Sequence, residues 1–595
     1  MLDWRDRFRA PAVISAKVAE LNHDRGVVIT DVDDRFQAYA WDRANGSIRA
    51  VTDSKGAVIS SAISHHGEWI YAMVEKDVGT EIGHMHRFSF AGDFSVDITP
   101  DLPYFTSVDF VPTPGGLAAI GGVDGRQALI VVDGDGARVF ELPSLATGLA
   151  VTPDGGKVAV TMSTPGKGLV PMTHVFDAVS GEVLDEGSDM SGGAIQGDTM
   201  AVAFVDGDWM RPGLRESGVV MPIDTDIPGD VVPVDWARDG STVLLVQSYR
   251  AKTALFLYEV ATARITELAQ PPGGIYPQVE ASLITPDLAL SIWSDSNNPW
   301  RVFVCAPDEY RLALELEEQH TFPGPEWEEF NFPSAGIDIQ GWLLRPEGDG
   351  PWPTVLYTHG GPTSVAGPLF SPICSAWFDA GFAVASINYR GSTTFGESFR
   401  EALTGKLGGP DIDDVVAARQ WLVDNGIADP DRIVKNGYSY GGYLTLQSLG
   451  THPELWAAGV AGAPIADWRM SYEDSNDVIK GYFISLWGGT PDQLSDAVTK
   501  GSPSSYVTDY QAPLLISQPE GDSRTPIRPV QQFADDLKAN GKDVDLTILK
   551  GGHAGSGVNQ MIEMVETWLE FATEEVGLEK QDNRSTPPGE DHTDQ

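Results

Sequence analysis

The chain has 595 residues, 42% of them hydrophobic and 21% charged, and 85 acidic against 40 basic side chains leave a formal net charge of -45 at pH 7. A single compact core stops growing near about 250 to 300 residues, so roughly two to four domains are expected. The acidity excludes partners that need a basic stripe, nucleic acid and anionic membrane surfaces alike, and no run of about 18 apolar residues is present to span a bilayer.

In chain order, the opening stretch MLDWRDRFRAPAVISAKVAE is interrupted by charge and lacks the apolar centre of a secretory signal. The two cysteines, Cys305 and Cys374, are too few for a disulfide framework and read as buried thiols. Together these features predict a cytoplasmic protein.

From about residue 15 to 318 short β-rich runs alternate with Gly, Asp, Asn and Pro. A turn-then-strand anchor recurs seven times: Gly26 before VVITDV, Gly67 before EWIYAMV, Gly116 before LAAIGG, Gly155 before GKVAVTM, Asp198 before TMAVAFV, Gly240 before STVLLVQ and Asp287 before LALSIWS. The spacing of about 40 to 48 residues is that of a four-stranded propeller blade. Later strands with closing turns, at 36–52, 174–184 and 255–269, carry the alternation of strands buried between blades. The expectation is a seven-bladed β-propeller over 1–318, its first fifteen residues free to pack on the next domain. No WD or kelch signature is present, and a pair of β-sandwiches is the alternative.

Near residue 320 the texture changes. GIDIQGWLLRP (336–346) reads as a hairpin strand pair. Apolar strand candidates follow at 353–359, 382–389, 432–439, 457–463, 513–518 and 544–549, with helical patterns at 411–426, 529–541 and 558–576. Continuous apolar strands alternating with amphipathic helices predict a mostly parallel, doubly covered sheet, an α/β-hydrolase domain over 319–577. The polar stretch 578–595, with Pro587-Pro588, reads as a disordered tail.

The sharpest motif is Gly437-Tyr438-Ser439-Tyr440-Gly441-Gly442-Tyr443, where a strand ends and a helix begins. That context lifts the Ser439 hydroxyl above the sheet edge as a nucleophile. A serine needs a base, and the base needs a carboxylate to hold its tautomer. Of the histidines after Ser439, His452 lies just past the nucleophile helix and His592 in the tail, leaving His553 in GGHAG after the strand VDLTIL. The acid belongs on the loop after PLLISQ, where Glu520 and Asp522 compete. An oxyanion hole needs two aimed donors: the backbone N–H of Tyr440, and one from the Gly-rich loop His359-Gly360-Gly361-Pro362.

The motifs GYSYGGY, HGGP, NYRGSTTFGESF (388–399), GVAGAPIADW (459–468), DSRTP (522–526) and GGHA (551–554) together resemble the prolyl oligopeptidase family of serine peptidases. Within it the acylaminoacyl peptidases, of the archaeal type, are the nearest likeness. The resemblance is specific over roughly 320–575 and only architectural over the propeller. It implies Asp522 as the acid and Gly361 with Tyr440 as the oxyanion pair. It also implies an apolar wall for the acyl-side residue from Trp468, Ile479, Tyr482 and Phe483, with Thr525 beside the acid. The aromatic-rich stretch VIKGYFISLW agrees in kind.

Two departures stand out: Lys435 interrupts the strand before the serine, and Thr394-Phe395 replaces the usual Gly-Tyr. The family likeness implies a propeller that caps the site and admits short peptides or small acyl-amide substrates. The first expectation is release of N-acylated amino acids from blocked peptides. A dipeptidyl aminopeptidase, a prolyl oligopeptidase, or an amidase or esterase for a small metabolite is the alternative. Self-association, as dimer or higher assembly, is expected by the same resemblance.

His84-Met85-His86 and His65-His66 offer imidazoles without a third ligand. With no P-loop, dinucleotide fingerprint or Cys cluster, no cofactor or metal is implied.

Overall fold

A computed structural model describes residues 3–134, 136–274, 281–317, 319–553 and 557–578. The expected tail from residue 579 onward lies outside these residues.

Seven four-stranded antiparallel sheets, each made of consecutive strands, form the N-terminal propeller. The seven sequence anchors all lead into the second strand of a blade: Asn22–Thr30, Trp69–Glu75, Gly116–Val123, Lys157–Ser163, Thr199–Asp206, Thr242–Tyr249 and Leu288–Asp295. A second strand is paired on both edges and faces a neighbouring blade on both sides, so both of its faces are apolar. In Gly116–Val123, Leu117 and Ala119 pack with Tyr71, Met85 and Phe110 of the preceding interface, while Ala118 and Ile120 pack with Val158, Val160 and Phe176 of the next. The period of two thus divides one strand between two cores. Val13, Val28 and Trp41 of the first blade close the ring by packing against Leu290, Ile292, Val302 and Val304 of the seventh, with no strand shared between the two blades among the described residues.

The second domain is built on an eight-stranded sheet. Its order is Glu328–Ser334, Ile337–Leu344, Ala383–Ile387, Trp352–Thr358, Ala428–Tyr438, Ala458–Gly462, Leu514–Pro519 and Val544–Leu549. The last six of these are parallel to one another, and only Ile337–Leu344 runs against them, antiparallel to both Glu328–Ser334 and Ala383–Ile387. The stretch 336–346 is therefore one strand of a hairpin and not both: its partner Glu328–Ser334 lies upstream, across a turn at Ala335-Gly336. Alternate Glu and Asn in EEFNFPS hide that strand from a search for continuous apolar runs. Helices Pro410–Asp424, Ile527–Ala539 and Val558–Glu575 fall where the helical patterns predict them.

Two cores cover the two faces of the sheet. One gathers Leu356, Tyr443, Leu446 and Phe533; the other gathers Val355, Val434, Trp377 and Trp568. The N-terminal helix Trp4–Arg9 belongs to the second, with Trp4 packed into it and Arg5 and Arg7 paired to Glu566 and Asp379. The propeller also caps hydrolase helices in trans. Asp34 accepts from Val558 N at 2.9 Å and Asn559 N at 3.1 Å, and Asp208 accepts from Glu397 N and Ser398 N. Each carboxylate or carbonyl satisfies N–H groups that a helix start leaves open. No helix among the described residues is long and apolar enough to cross a membrane.

Candidate active site

The central strand Ala428–Tyr438 ends at Ser439, and helix Tyr440–Thr451 begins directly after it. Ser439 has φ of 59° and ψ of -122°, a conformation costing about 1–3 kcal/mol for a residue with a side chain. Backbone bonds from Ser439 N to Gly462 O and from Tyr443 N to Ser439 O, both 2.9 Å, hold it there. A Cβ on Gly441 would lie 2.0 Å from Thr358 O, so glycine alone lets the helix start so close to the neighbouring strand.

His553 Nε2 lies 2.9 Å from Ser439 Oγ, and His553 Nδ1 lies 2.8 Å from Asp522 Oδ2. An Nδ1–H donating to the carboxylate leaves Nε2 to accept the serine proton, the tautomer a general base requires. Asp522 Oδ1 accepts from the N–H groups of Arg524 and Thr525 at 2.9 and 2.8 Å, and Oδ2 accepts from the Thr525 hydroxyl at 2.8 Å. Burial pushes the Asp522 carboxyl up, but His553 and the Thr525 donors outweigh it and hold it below the usual range. Glu520, the competing acid, is exposed, whereas the Asp522 side chain is fully buried. The acid and base loops are tied together by Gly521 N to Gly551 O at 2.9 Å, and Tyr438 OH donates to His553 O at 2.9 Å.

The glycine loop runs beside the nucleophile: a Cβ on Gly360 would lie 3.3 Å from Ser439 Cβ, and Gly361 follows at φ of 121°. His359 braces this loop through Nδ1 to Gly360 O at 2.7 Å and Nε2 to Ser392 Oγ at 2.9 Å. Burial lowers its pKa to about 4, so the imidazole is neutral at pH 7. Tyr440, whose N–H is the second oxyanion candidate, has its ring pinned by a 2.7 Å bond to Asp411. Burial pushes the Asp411 carboxyl up to about 6 in spite of that bond.

Ile479, Tyr482 and Phe483 lie on helix Asp477–Trp487. Tyr482 OH meets Thr363 Oγ1 at 2.9 Å, which joins the expected apolar wall to the glycine loop. Trp468 is 1% exposed and stands behind that wall, packed on Tyr440, Tyr443, Phe483 and Trp487. The Thr525 hydroxyl is spent on Asp522, so this residue supports the acid.

Two groups at the site escape a reading of motifs. Glu81, on a propeller loop, forms a two-point pair with Arg524: Nε to Oε2 at 2.8 Å and Nη2 to Oε1 at 2.7 Å. Nothing in the sequence distinguishes Glu81 from the other acids of the chain, because its partner is set by domain docking. Lys435 is fully buried on the central strand, and its Nζ donates to Thr358 Oγ1 at 2.6 Å and Asn436 O at 3.0 Å. Burial holds this amine well below its ordinary pKa. Its oddity in an apolar strand was the visible signal.

Elsewhere, His84 bonds Asp97 and the carbonyl of Leu102, and His86 stacks on Phe88. Cys305 and Cys374 are buried free thiols, each pushed up to about 12 by burial. A cavity at the domain seam, lined in part by Phe8, Asp31, Trp300, Phe370 and Val558, does not include the triad.

A propeller capping an α/β-hydrolase domain, with serine, imidazole and carboxylate bonded in line at the strand ends, defines a serine-hydrolase architecture. Residues 369–579 match the prolyl oligopeptidase family. The chain is 34% identical over 239 residues to an uncharacterized peptidase, YuxL, of Bacillus subtilis, covering 38% of this chain and 35% of that protein. It is 27% identical over 356 residues to the acylamino-acid-releasing enzyme of Mus musculus, covering 54% of this chain and 47% of that enzyme. The matches thus span about a third to a half of the length of these relatives. The whole fold is similar to that of a puromycin-hydrolyzing peptidase from Mycobacterium tuberculosis, with a TM-score of 0.81 and 19% identity, covering 97% of this chain and 96% of the other.

Proposed function

We propose that the protein is a serine peptidase that cleaves short peptides or small acyl amides, most of all releasing N-acylated amino acids from blocked N-termini. The carrying observation is the in-line bonding of Ser439, His553 and Asp522. The likeness to an acylamino-acid-releasing enzyme over 356 residues supports the finer substrate assignment.

In the reaction, Ser439 Oγ attacks the scissile carbonyl while His553 Nε2 takes its proton. The oxyanion is received by the N–H groups of Gly361 and Tyr440. His553 then protonates the leaving amine, and the acyl-enzyme is hydrolysed by water activated by the same imidazole. Asp522 keeps the imidazole oriented throughout and stabilises its cationic form.

The propeller stands over the acid loop through Glu81, which favours substrates small enough to enter an enclosed site. The partner is then a short substrate rather than nucleic acid or membrane, and the cytoplasm is the compartment this reading assigns.

A fluorophosphonate is expected to label the wild type and fail on Ser439→Ala; a wild type that resists the probe would sink the nucleophile. An acetylated aminoacyl anilide is expected to be cleaved faster than its free-amine analogue. The opposite order would move the assignment to an amino-terminal peptidase.

A further inference from the structure

Helix Asp477–Trp487 has two opposed faces. Ile479, Tyr482, Phe483 and Leu486 point to the hydrolase core. Asp477, Val478, Gly481 and Ser485 fall within about 100° of one another on the rest of the helix circumference and meet the propeller. Gly125 N donates to Asp477 Oδ2 and Gln127 Nε2 donates to Asp477 O, both at 2.8 Å. One end of the helix is thereby held by the third blade. Toward the other end, Ser485 Oγ lies 3.1 Å from Ser163 Oγ of the fourth blade in a buried contact.

Between these points the domains touch without room for a side chain. A Cβ on Gly122 would lie 2.8 Å from Asp477 Cβ, and one on Gly481 would lie 3.1 Å from Gln127 Nε2. Glycines on both partners make this seam a close backbone approach. The same helix reaches the catalytic loops, with Asn476 bonded to Ser523 Oγ at 3.3 Å and Tyr482 to Thr363 at 2.9 Å.

We infer that the propeller sets the side-chain specificity of the site: Gln127, with the backbone at Gly122 and Gly125, is a positioning element that fixes where helix Asp477–Trp487 stands and so how wide the apolar wall opens. This rests on the serine-hydrolase reading and on Ile479, Tyr482 and Phe483 forming that wall. A shift of the helix along the blade face moves Tyr482 and Ile479, while Ser439, His553 and Asp522 keep their own bonds. A displacement worth one methylene in an apolar pocket changes selectivity by about tenfold or more.

The test uses the full chain and a matched pair of N-acetylated aminoalkyl diphenyl phosphonates with alanine-like and phenylalanine-like side chains, read as rates of Ser439 labelling. Gln127→Ala is expected to change the phenylalanine-to-alanine rate ratio about tenfold while the alanine-type rate stays within about twofold. Gln196→Ala, which loses bonds to Ala237 O and Arg238 O within the propeller, is the control and should leave the ratio unchanged. Ser163→Ala gives the same readout if Gln127→Ala does not fold. A ratio equal to the wild type's, or both rates falling in proportion, overturns the inference. A wild type labelled by neither probe overturns the hydrolase reading on which it rests.

Discussion

The propeller and the hydrolase domain solve the same burial problem in different ways. In the propeller, residues bury against the next blade, and each interface is a small core of its own, such as Leu117, Ala119 and Ile130 on one side of a blade and Ala118, Ile120 and Leu129 on the other. In the hydrolase domain, residues far apart in sequence converge: Leu422, Leu446 and Phe533 share one core above the sheet. The repeat can be read from its period, because its contacts are between neighbours. The catalytic domain is legible through motifs, because the chemistry constrains short segments.

The comparison breaks most visibly at the triad and its support from the cap. Asp522→Asn keeps shape but favours the wrong imidazole tautomer, and is expected to lower kcat by about 10⁴. Glu81→Gln removes a charge supplied by the propeller and leaves the triad intact, and is expected to cost about tenfold to a hundredfold, since a hydrogen bond to a charged group contributes about 1.5–3 kcal/mol. Steady-state kinetics on a blocked anilide would rank the two. Equal losses would mean that the cap is as much a part of the catalytic machinery as the acid.

Stability should separate the domains as well. Leu129→Ala and Leu422→Ala each delete a fully buried leucine, and each is expected to cost about 2–5 kcal/mol. Amide hydrogen exchange should show the Leu129 loss confined to its own and adjoining blades, and the Leu422 loss spread through the hydrolase sheet. Protection lost around the whole ring after Leu129→Ala would show that the propeller unfolds as one unit.

The smallest effect concerns Lys435. Its folded pKa lies well below the ordinary 10.5, so between the two values the unfolded chain binds the extra proton. Wild-type stability therefore rises with pH across that window, and falls as acid demands a proton the core refuses. Lys435→Met has no such group, so its stability relative to wild type should grow as pH drops from 10 toward 6. Urea unfolding at several pH values would measure this; parallel curves for the two proteins would show that Lys435 stays charged in the fold.

Much of the site was legible because its parts are local. Ser439 announces itself by the glycines that its turn needs, and His553 follows from chain order. The choice between Glu520 and Asp522 required either the family likeness or the fold: two carboxylates two residues apart look alike until one turns inward to meet the imidazole and a ring of N–H donors. The hairpin strand Glu328–Ser334 was missed because an edge strand with one solvated face lacks the continuous apolar signal of its neighbours.

The sequence alone marked the two regimes, the seven repeats, and the serine and histidine that the fold brings together, since period-two alternation, turn chemistry and short motifs are properties of neighbouring residues. The tertiary structure decided what depends on docking: Glu81 against Arg524, Asp34 and Asp208 as caps for helices of the other domain, and Gln127 against the helix that carries the apolar wall. These contacts join residues hundreds of positions apart. They form only when two independently patterned surfaces meet, and no local rule encodes that meeting.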